Sequence, residues 1–347
     1  MLVSTRRDSD GGEVIRPPAW SGRPHLAIGL VVAGIALFFR YGHVLGVPGV
    51  FGEVDKRSGQ AIFNEWILLA SVVTAFYFVF GIAGRFAFST ASFMGLGAYL
   101  SHYATRGSDV NAFAGVAVAA AVGAVVALLF ALLLRRAQHF YFAVATLGLA
   151  EVILLVLRRY DRFTGRSSGE ISGVRELSLF GWTIDDRTRD FWLLLAFLAV
   201  VLVVAALIRR SPVERVAVAA RDNPRVAETV GIDSTRPGIV LFTLGSALAA
   251  VAGALFVHTR GISTPDTFGI ELGIGIFVAL ILGGLHSMWG GLIGAWFYVY
   301  VPLYLERWEE WTQVIWGAVL VGVMIGFPDG LAGLFGRLAS LRRGRRR

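Results

Sequence analysis

Few residues of this 347-residue chain could do chemistry once its apolar runs are set aside. Glu151 lies deep in one apolar run, and Glu65 lies near the end of another. A carboxylate inside a membrane is costly unless it is protonated or paired. Glu151 is therefore either a gating or ion-coupling residue or a carboxyl satisfied by a neighbouring helix. Glu65 can reach the headgroup region and needs no special role.

Catalytic and metal-binding patterns are missing from the sequence. The six histidines are scattered, none forms an i, i+4 pair with glutamate of the kind zinc sites use, and cysteine is absent. No glycine-flanked serine predicts a nucleophile elbow. A Walker A loop needs a lysine before Ser or Thr, and the only lysine, Lys56, precedes Arg57. We therefore predict neither enzymatic activity, nor a metal site, nor a cofactor bound by this chain.

Apolar segments dominate the chain and must position these residues. The chain is 56% hydrophobic with a mean hydropathy of +0.66, which predicts an all-α polytopic membrane protein. The eighth of ten predicted spans is short for a crossing and is expected to be broken or tilted. The spans are Leu26–Leu45, Ala61–Ala83, Phe86–Tyr103, Ala112–Leu134, Phe140–Leu157, Phe191–Ile208, Gly238–His258, Leu272–Leu285, Gly291–Leu305 and Trp311–Phe327.

The distribution of charge predicts the orientation. With the N-terminus inside, Lys and Arg exceed the acids in the inner segments and are slightly outnumbered outside. The chain then divides into a cytoplasmic tail without signal-peptide features (1–25), a transmembrane region (26–334) with an extracytoplasmic loop (158–190), and a basic cytoplasmic tail (335–347). Orientation and anionic lipid, rather than nucleic acid, account for the net charge of +8. Five spans on each side of the extracytoplasmic loop predict two halves in opposite orientation.

Residues 209–237, here named the coupling loop, connect the sixth and seventh spans on the inner side. Ser211, Pro212 and Glu214 match a capping box with proline at the first helical position. Asn223 followed by Pro224 repeats the start signal, because asparagine caps a helix and proline suits its first turn. The second helix is expected to end near Val230, with Gly231 in the left-handed conformation. The loop is therefore predicted to form two short helices joined at a corner.

The loop carries six arginines against four acids. Its first helix is expected to bury one face while its charged residues point away from it. The buried face would hold Val213, Val216, Ala217 and Ala220, and the outward residues would be Arg215, Arg221 and Asp222. A defined shape favours a docking surface for a partner over a loop that only fixes orientation.

Glycines are dense in the eighth and ninth spans. Small residues at helix contacts are the commonest reason for this in membranes, and unwound turns that expose amides to a substrate are the alternative. Close packing is favoured along both spans, and both interpretations stay open at Gly283 and Gly284.

Several stretches of the sequence resemble one family, the LivM-type permease subunits of branched-chain amino acid ABC transporters. The resemblance runs from about Gln60 to Leu334, and the motifs follow the family's order. Ser89–Ser92 and His286 depart from the family pattern, which bears on the substrate more than on the family. The matching stretches are Gly84–Ser89 with Phe93–Tyr99, Tyr141–Glu151, Arg210–Ile232, Leu282–Ala295 and Phe327–Leu331.

The resemblance implies partners and a location. It implies a second homologous permease, two ATPase subunits that bind ATP and magnesium, and an extracytoplasmic substrate-binding protein, in a bacterial cytoplasmic membrane. The residues it assigns to ATPase coupling are Ser211, Pro212, Glu214, Arg215, Ala219, Ala220, Arg221, Asn223, Glu228 and Gly231. Those considered for the translocation pathway are Thr146, Glu151, Gly283 and Gly284.

The implied activity is import of a branched-chain amino acid, driven when closing ATPases push on the helices between Ser211 and Gly231. Arg221 and Glu228 are expected to face the ATPase. Urea and short amides stay open as cargo, because related permeases carry them. A secondary transporter that uses Glu151 as its ion-coupling acid is the main rival, and an intramembrane enzyme is a weaker one.

Overall fold

The computed structural model describes residues 5–7, 13–15, 24–41, 56–106, 111–137, 139–159, 170–174, 177–179, 182–184, 187–229, 231, 233, 235–285 and 287–305, with separate positions between 314 and 331. Over these residues the chain is built almost entirely of helices, which confirms the all-α polytopic prediction. The helices are α1 (Pro24–Tyr41), α2 (Lys56–Tyr77), α3 (Thr90–Thr105), α4 (Ala112–Leu133), α5 (His139–Arg159), α6 (Arg187–Arg210), α7 (Pro212–Asp222), α8 (Pro224–Thr229), α9 (Arg236–Arg260), α10 (Ile270–Gly283) and α11 (Gly290–Leu305).

Six helical segments of the described residues are long and apolar enough to cross a membrane. They are Gly59–Ile82, Ala112–Leu133, Phe140–Arg159, Arg189–Arg210, Arg236–Arg260 and Pro265–Gly283. α1 and α11 contain shorter apolar stretches, Ala27–Leu37 and Gly290–Leu303. The tenth predicted span lies largely outside the described residues, as does all of 335–347, and the opposite orientation of the two halves stays a prediction.

Two predicted spans differ in detail from the helices. The third predicted span was expected to begin at Phe86. Residues 85–88 are not helical, and α3 begins only at Thr90 and has 16 residues. The eighth was expected to be broken, and a 3₁₀ turn at Pro265–Phe268 precedes the 14-residue α10. The turn and α10 together make one 19-residue segment.

α2 lies at the centre of the bundle, where it packs against α6, α9, α10 and α11. Of the residues in its apolar window 89% are buried, against 22% for α4. α3 and α9 cross in close contact because glycines face backbone there: a Cβ at Gly97 would lie 2.6 Å from Cα of Ala250, and one at Gly253 would lie 2.7 Å from Cα of Met94. Close packing is thus the role of Gly97, as small residues at membrane helix contacts predict.

Short antiparallel strand pairs, which the sequence did not predict, occur outside the bundle. β1 (Thr5–Arg7) pairs with β2 (Glu13–Ile15), β3 (Ile171–Ser172) with β6 (Ile262–Ser263), and β4 (Leu177–Leu179) with β5 (Trp182–Ile184). β3 and β6 join the α5–α6 and α9–α10 connections at the end of α9 that is remote from the coupling loop.

Two ion pairs fasten this remote end. Arg158 binds Asp266 at 2.6 Å, and Arg260 binds Glu65 at 2.5 Å. Glu65 thus has an ion-pair partner at the helix end, where the sequence had placed it without a special role.

Candidate functional site

The coupling loop forms the two predicted helices, α7 and α8, joined at Asn223. Pro212 and Pro224 each occupy the first helical position, as their fixed φ predicts. Gly231 has φ +76°, so the predicted left-handed glycine is confirmed. α8 ends at Thr229, and Val230 lies outside the described residues.

The capping box predicted at the start of α7 is wrong in its hydrogen bonds, although the helix starts where expected. The Ser211 hydroxyl accepts no bond from the first turn and instead donates to the carbonyl of Ile208 at 2.7 Å. Glu214 lies 3.6 Å from Arg209 in an ion pair. Because α6 runs on to Arg210, Ser211 finishes that helix as well as preceding α7, and its hydroxyl serves the end of α6.

The start of α8 follows the prediction. The side-chain oxygen of Asn223 accepts a hydrogen bond from the backbone N–H of Val226 at 3.3 Å, which is the usual N-cap arrangement. A second cap, at the start of α9, was not predicted. Asp233 accepts from the amides of Thr235 at 2.9 Å and Arg236 at 3.4 Å, and the Thr235 amide in particular lowers the pKa of the Asp233 carboxyl. Asp233, two residues before Thr235, was the sequence signal from which this cap could have been predicted.

The two helices of the loop differ in exposure. On α7, Ala217 and Ala220 are buried, Ala219 is half-buried and Arg215 is exposed, which matches the predicted buried face. On α8, Ala227 is the buried residue. The other side chains of α8, Pro224, Arg225, Val226, Glu228 and Thr229, are exposed. Val226 follows Arg225 and precedes Ala227 and Glu228, and an exposed valine close to charged side chains is consistent with a docking surface.

Arg221 does not point away from the bundle, so the expected direction of its side chain is wrong. Its Nη1 donates to the backbone carbonyl of Gly81, and its Nε donates to Asp222 at 3.0 Å. Gly84 makes room for the aliphatic stem, because a Cβ there would lie 2.7 Å from Cδ of Arg221. The last carbonyls of a helix lack helical partners, and the Gly81 carbonyl finds one in this guanidinium. Contact of Glu228 with a partner stays a prediction.

Three charged side chains lie close to the buried Tyr77, near the junction of α2 and α7. Arg209, Glu214 and Arg221 all act electrostatically on the Tyr77 phenol. Burial raises the pKa of the Glu214 carboxyl, and Arg209 and Arg221 oppose that rise without cancelling it. The junction between coupling loop and bundle is therefore polar and half-buried.

Below Tyr77, α2 ends in a π-helical turn at Phe78–Ile82. The amide of Ala83 donates to the carbonyl of Phe78 at 3.2 Å, five residues back, and Gly84 then reverses the chain with φ +67°. Such turns often occur at functional sites. No pattern in the sequence predicted one here.

Five phenylalanines, here named the inner aromatic cluster, gather around this turn. They are Phe76, Phe80, Phe86, Phe88 and Phe277. The ring of Phe80 lies 4.4 Å from that of Phe86 and 5.3 Å from that of Phe277, while Phe277 lies 5.8 Å from Phe88. Phe76 is buried and the other four are half-buried. The cluster thus joins α2, the segment that precedes α3, and α10.

Arg85, which the sequence assigned no role beyond its motif, is a half-buried cation beside this cluster. Its guanidinium lies 5.3 Å from the ring centre of Phe142, and a Cβ on Gly238 would lie 2.6 Å from its Nε. Its Nη1 is buried and has no hydrogen-bond partner among the described residues.

The residues considered for the pathway do not come together. Thr146 is buried, and its hydroxyl accepts from the amide of Phe88 at 3.2 Å and donates to the carbonyl of Ala143 at 2.8 Å. It therefore supports the segment that leads into α3. A pathway role for Thr146 stays a prediction.

Glu151 is exposed, on the face of α5 that turns away from the bundle. No hydrogen bond or ion pair reaches Glu151 from the described residues, and both interpretations of this carboxyl, a gating or ion-coupling residue and a carboxyl satisfied by a neighbouring helix, stay predictions. Its neighbours Val152 and Leu155 are also exposed, because α5 packs on the bundle through Phe142, Thr146 and Leu154.

Gly283 and Gly284 lie in a tight turn between α10 and α11. A Cβ at Gly283 would lie 2.9 Å from Cα of Gly290, and one at Gly330 would lie 2.5 Å from the nitrogen of Gly284. Gly284 has φ +115° and ends α10. The geometry includes close backbone packing within a turn, and both interpretations of these two glycines, close packing and a turn that exposes amides to a substrate, stay open.

The described residues bring no three His, Asp or Glu side chains together as a metal site would require. The expectation that this chain binds no cofactor stays a prediction.

Comparison with known proteins assigns these features a family. Residues 61–325 match the family described as "Branched-chain amino acid transport system / permease component". The chain is 26% identical over 280 residues to the high-affinity branched-chain amino acid transport system permease protein LivM of Salmonella typhimurium, a match covering 73% of this chain and 65% of that protein. It thus spans just under two thirds of the length of this relative.

Two further relatives show the range of named cargoes. The chain is 28% identical over 254 residues to the probable branched-chain amino acid transport permease protein LivH of Methanocaldococcus jannaschii, covering 70% of this chain and 78% of that one. It is 32% identical over 145 residues to the autoinducer 2 import system permease protein LsrC of Klebsiella pneumoniae, a match covering 39% of this chain and 40% of that protein. No solved structure matches.

Proposed function

We propose, from the premise that this chain belongs to the permease family of branched-chain amino acid transport systems, that it is the membrane-spanning permease subunit of an ABC importer for branched-chain amino acids. It works with a second homologous permease, two ATPase subunits and an extracytoplasmic substrate-binding protein. Its termini and coupling loop face the cytoplasm of a bacterial cell. ATP and magnesium belong to the ATPase subunits, and no covalent chemistry occurs on this chain.

The exposed surface of the coupling loop is the observation that carries the proposal. Outside the bundle, α7 and α8 present Arg215, Arg225, Val226 and Glu228 on a rigid frame with a proline at the start of each helix. A loop that only fixes orientation needs positive charge but no folded shape. A folded surface with exposed charged side chains and an exposed valine, Val226, is suited to bind a partner that moves it.

Transport follows from the attachment of this surface to the bundle. When the ATPase subunits close on ATP, they push α7 and α8, which are continuous with α6 and connect through Asp233 to the start of α9. The bundle then changes which side of the membrane its pathway opens to. The substrate-binding protein delivers cargo at the remote end, which the ion pairs Arg158–Asp266 and Arg260–Glu65 hold together.

Reconstitution tests the proposal. The permease pair, ATPases and binding protein in proteoliposomes should import labelled leucine only when ATP is present on the ATPase side. Unlabelled isoleucine and valine should compete, while urea and acetamide should not. If urea or acetamide competed and isoleucine and valine did not, the chain would still be an importer subunit, but its cargo would be urea or a short amide.

Glu151→Gln separates the importer from the ion-coupled rival. In the importer the change should leave ATP-driven uptake largely intact, since no proton or ion has to be coupled. Uptake by a secondary transporter that uses Glu151 should be abolished. Uptake that depends on a proton or sodium gradient and fails in Glu151→Gln would therefore overturn the proposal.

Orientation can be read independently, because the chain lacks cysteine. Single cysteines at Arg215 and Ile262, both exposed, should react with a membrane-impermeant maleimide from opposite sides. In intact cells Ile262→Cys should label and Arg215→Cys should not. The reverse pattern would place the coupling loop outside, away from any cytoplasmic ATPase.

A further inference from the structure

The contact between α7 and the end of α2 is built from complementary parts. Arg221 reaches from the last turn of α7 to the carbonyl of Gly81, within the π-helical turn Phe78–Ile82. A cation at the C-terminal end of a helix is favoured by the helix dipole, and a charged donor makes a stronger hydrogen bond than a neutral one. This bond joins residues 140 positions apart.

Gly81, in the π-helical turn, and Gly84, just after it, leave no empty space around the contact with Arg221. Gly84 has φ +67°, and its missing side chain is replaced by the stem of Arg221, to whose Cδ a Cβ would come within 2.7 Å. Gly81 lies against the ring of Tyr77, whose Cε2 a Cβ would approach to 2.6 Å. A displacement of Arg221 therefore presses on the π-helical turn rather than being absorbed by empty space.

The π-helical turn carries part of the inner aromatic cluster. Phe80 belongs to the turn itself, and Phe86 follows Gly84 by two residues. Phe277 on α10 contacts both rings, at 5.3 Å and 6.1 Å between ring centres. A shift of the turn must therefore move these two phenylalanines relative to α10.

We propose that Arg221 is the positioning residue through which α7 moves the π-helical turn and, with it, the inner aromatic cluster. The inference rests on the proposed function, because the ATPase subunits supply the motion of α7. Arg221 touches neither the cargo nor the ATPase surface in this role. It transmits displacement from the coupling loop to rings that join α2, the segment before α3, and α10.

The test compares two arginines in the complete reconstituted transporter. Arg221→Met keeps an unbranched apolar stem and removes the donors that hold Gly81. Arg136→Met makes the same change at an exposed arginine that follows α4, outside the coupling loop. Three quantities are measured for each complex: co-purification of the ATPase subunits, the thermal unfolding midpoint, and leucine imported per ATP hydrolysed.

Arg221→Met should lower leucine imported per ATP by about tenfold, the size expected for loss of one charged hydrogen bond, while the ATPases still co-purify. Arg221→Lys keeps the charge and should recover part of that ratio. Arg136→Met should leave the ratio at the wild-type value, with the ATPases still co-purifying. A purely structural role for Arg221 would lower the unfolding midpoint without changing the ratio.

A ratio within about twofold of wild type in Arg221→Met would overturn the inference. If Arg221→Met yields no folded complex, Arg221→Gln decides, because it keeps a polar side chain but loses the charge, and a wild-type ratio there has the same meaning. Failure of the proposed function is distinguishable, because the wild-type complex itself would then show no ATP-dependent import, and this inference would fall with it.

Discussion

The two helices of the coupling loop each begin with a proline and carry as many arginines as acids, yet they meet the bundle differently. α7 is seated by buried Ala217 and Ala220, by the ion pair of Glu214 with Arg209, and by the reach of Arg221 to Gly81. α8 buries Ala227 and exposes its remaining side chains. In the function we propose, the two helices have separate tasks: α8 offers surface to the ATPase, and α7 passes its motion to the bundle.

The largest effect is expected on α8, from Val226→Asp. A carboxylate buried in an interface without a partner costs about 3–5 kcal/mol, so the ATPase subunits should no longer co-purify with the permease. Ile262→Asp is the matched control, since Ile262 is 59% exposed against 57% for Val226 and lies at the remote end. Equal loss of the ATPases in both variants would contradict the task assigned to α8.

The next effect is expected on the buried face of α7, from Ala220→Leu. Overpacking a close contact costs about 1–3 kcal/mol, which should lower the thermal unfolding midpoint by a few degrees. Ala219→Leu adds the same side chain at a half-buried neighbour and should change the midpoint less. If both variants unfold at one temperature, α7 is not seated through Ala220 as described.

A smaller effect is expected at the corner between the helices. Asn223→Ala removes the cap on α8 and should destabilise that helix by about 0.5–2 kcal/mol, so hydrogen exchange of the α8 amides should quicken. Asn223→Asp keeps a capping oxygen and should exchange like wild type. If the Asn223→Ala change quickened exchange in α7 more than in α8, Asn223 would stabilise α7 and not α8, against the account.

The smallest effect is expected from Glu214 and depends on pH. Burial raises the pKa of the Glu214 carboxyl in the folded chain, so the stability that its protonated form contributes is present below the ordinary value of 4.5 and is lost as pH rises through the raised value. The unfolding midpoint of wild type should therefore fall relative to that of Glu214→Gln as the pH rises from about 4 to neutrality. Glu228→Gln, the same change at an exposed position, is the control. A wild-type midpoint that rises relative to Glu214→Gln would reverse the sign of the argument.

Local sequence signals predicted the frame of the coupling loop well. Pro212, Asn223, Pro224 and Gly231 act through their own backbone preferences, so their positions fixed the two helices and the corner without knowledge of the rest of the chain. The periodicity of Ala217 and Ala220 identified the buried face for the same reason. Hydropathy likewise located the six described helical segments that are long and apolar enough to cross a membrane, because crossing demands length and composition alone.

Contacts between distant segments could not be read from those signals. The direction of Arg221 depends on a carbonyl 140 residues away, made available by a π-helical turn that no sequence pattern announces. Ser211 lies between α6 and α7, and the sequence did not show that its hydroxyl would bond to the end of α6 rather than cap the start of α7. The sequence placed Glu151 deep in an apolar run, but only the packing of α5 shows that its face turns away from the bundle.

The central claim is that this chain is a passive conduit worked through α7 and α8 by separate ATP-hydrolysing subunits. The most direct measurement is accumulation of labelled leucine in vesicles that hold the permease pair and binding protein, with and without the ATPase subunits. The account predicts uphill accumulation only when the ATPases and ATP are both present. Accumulation against a gradient by the permease alone would contradict it.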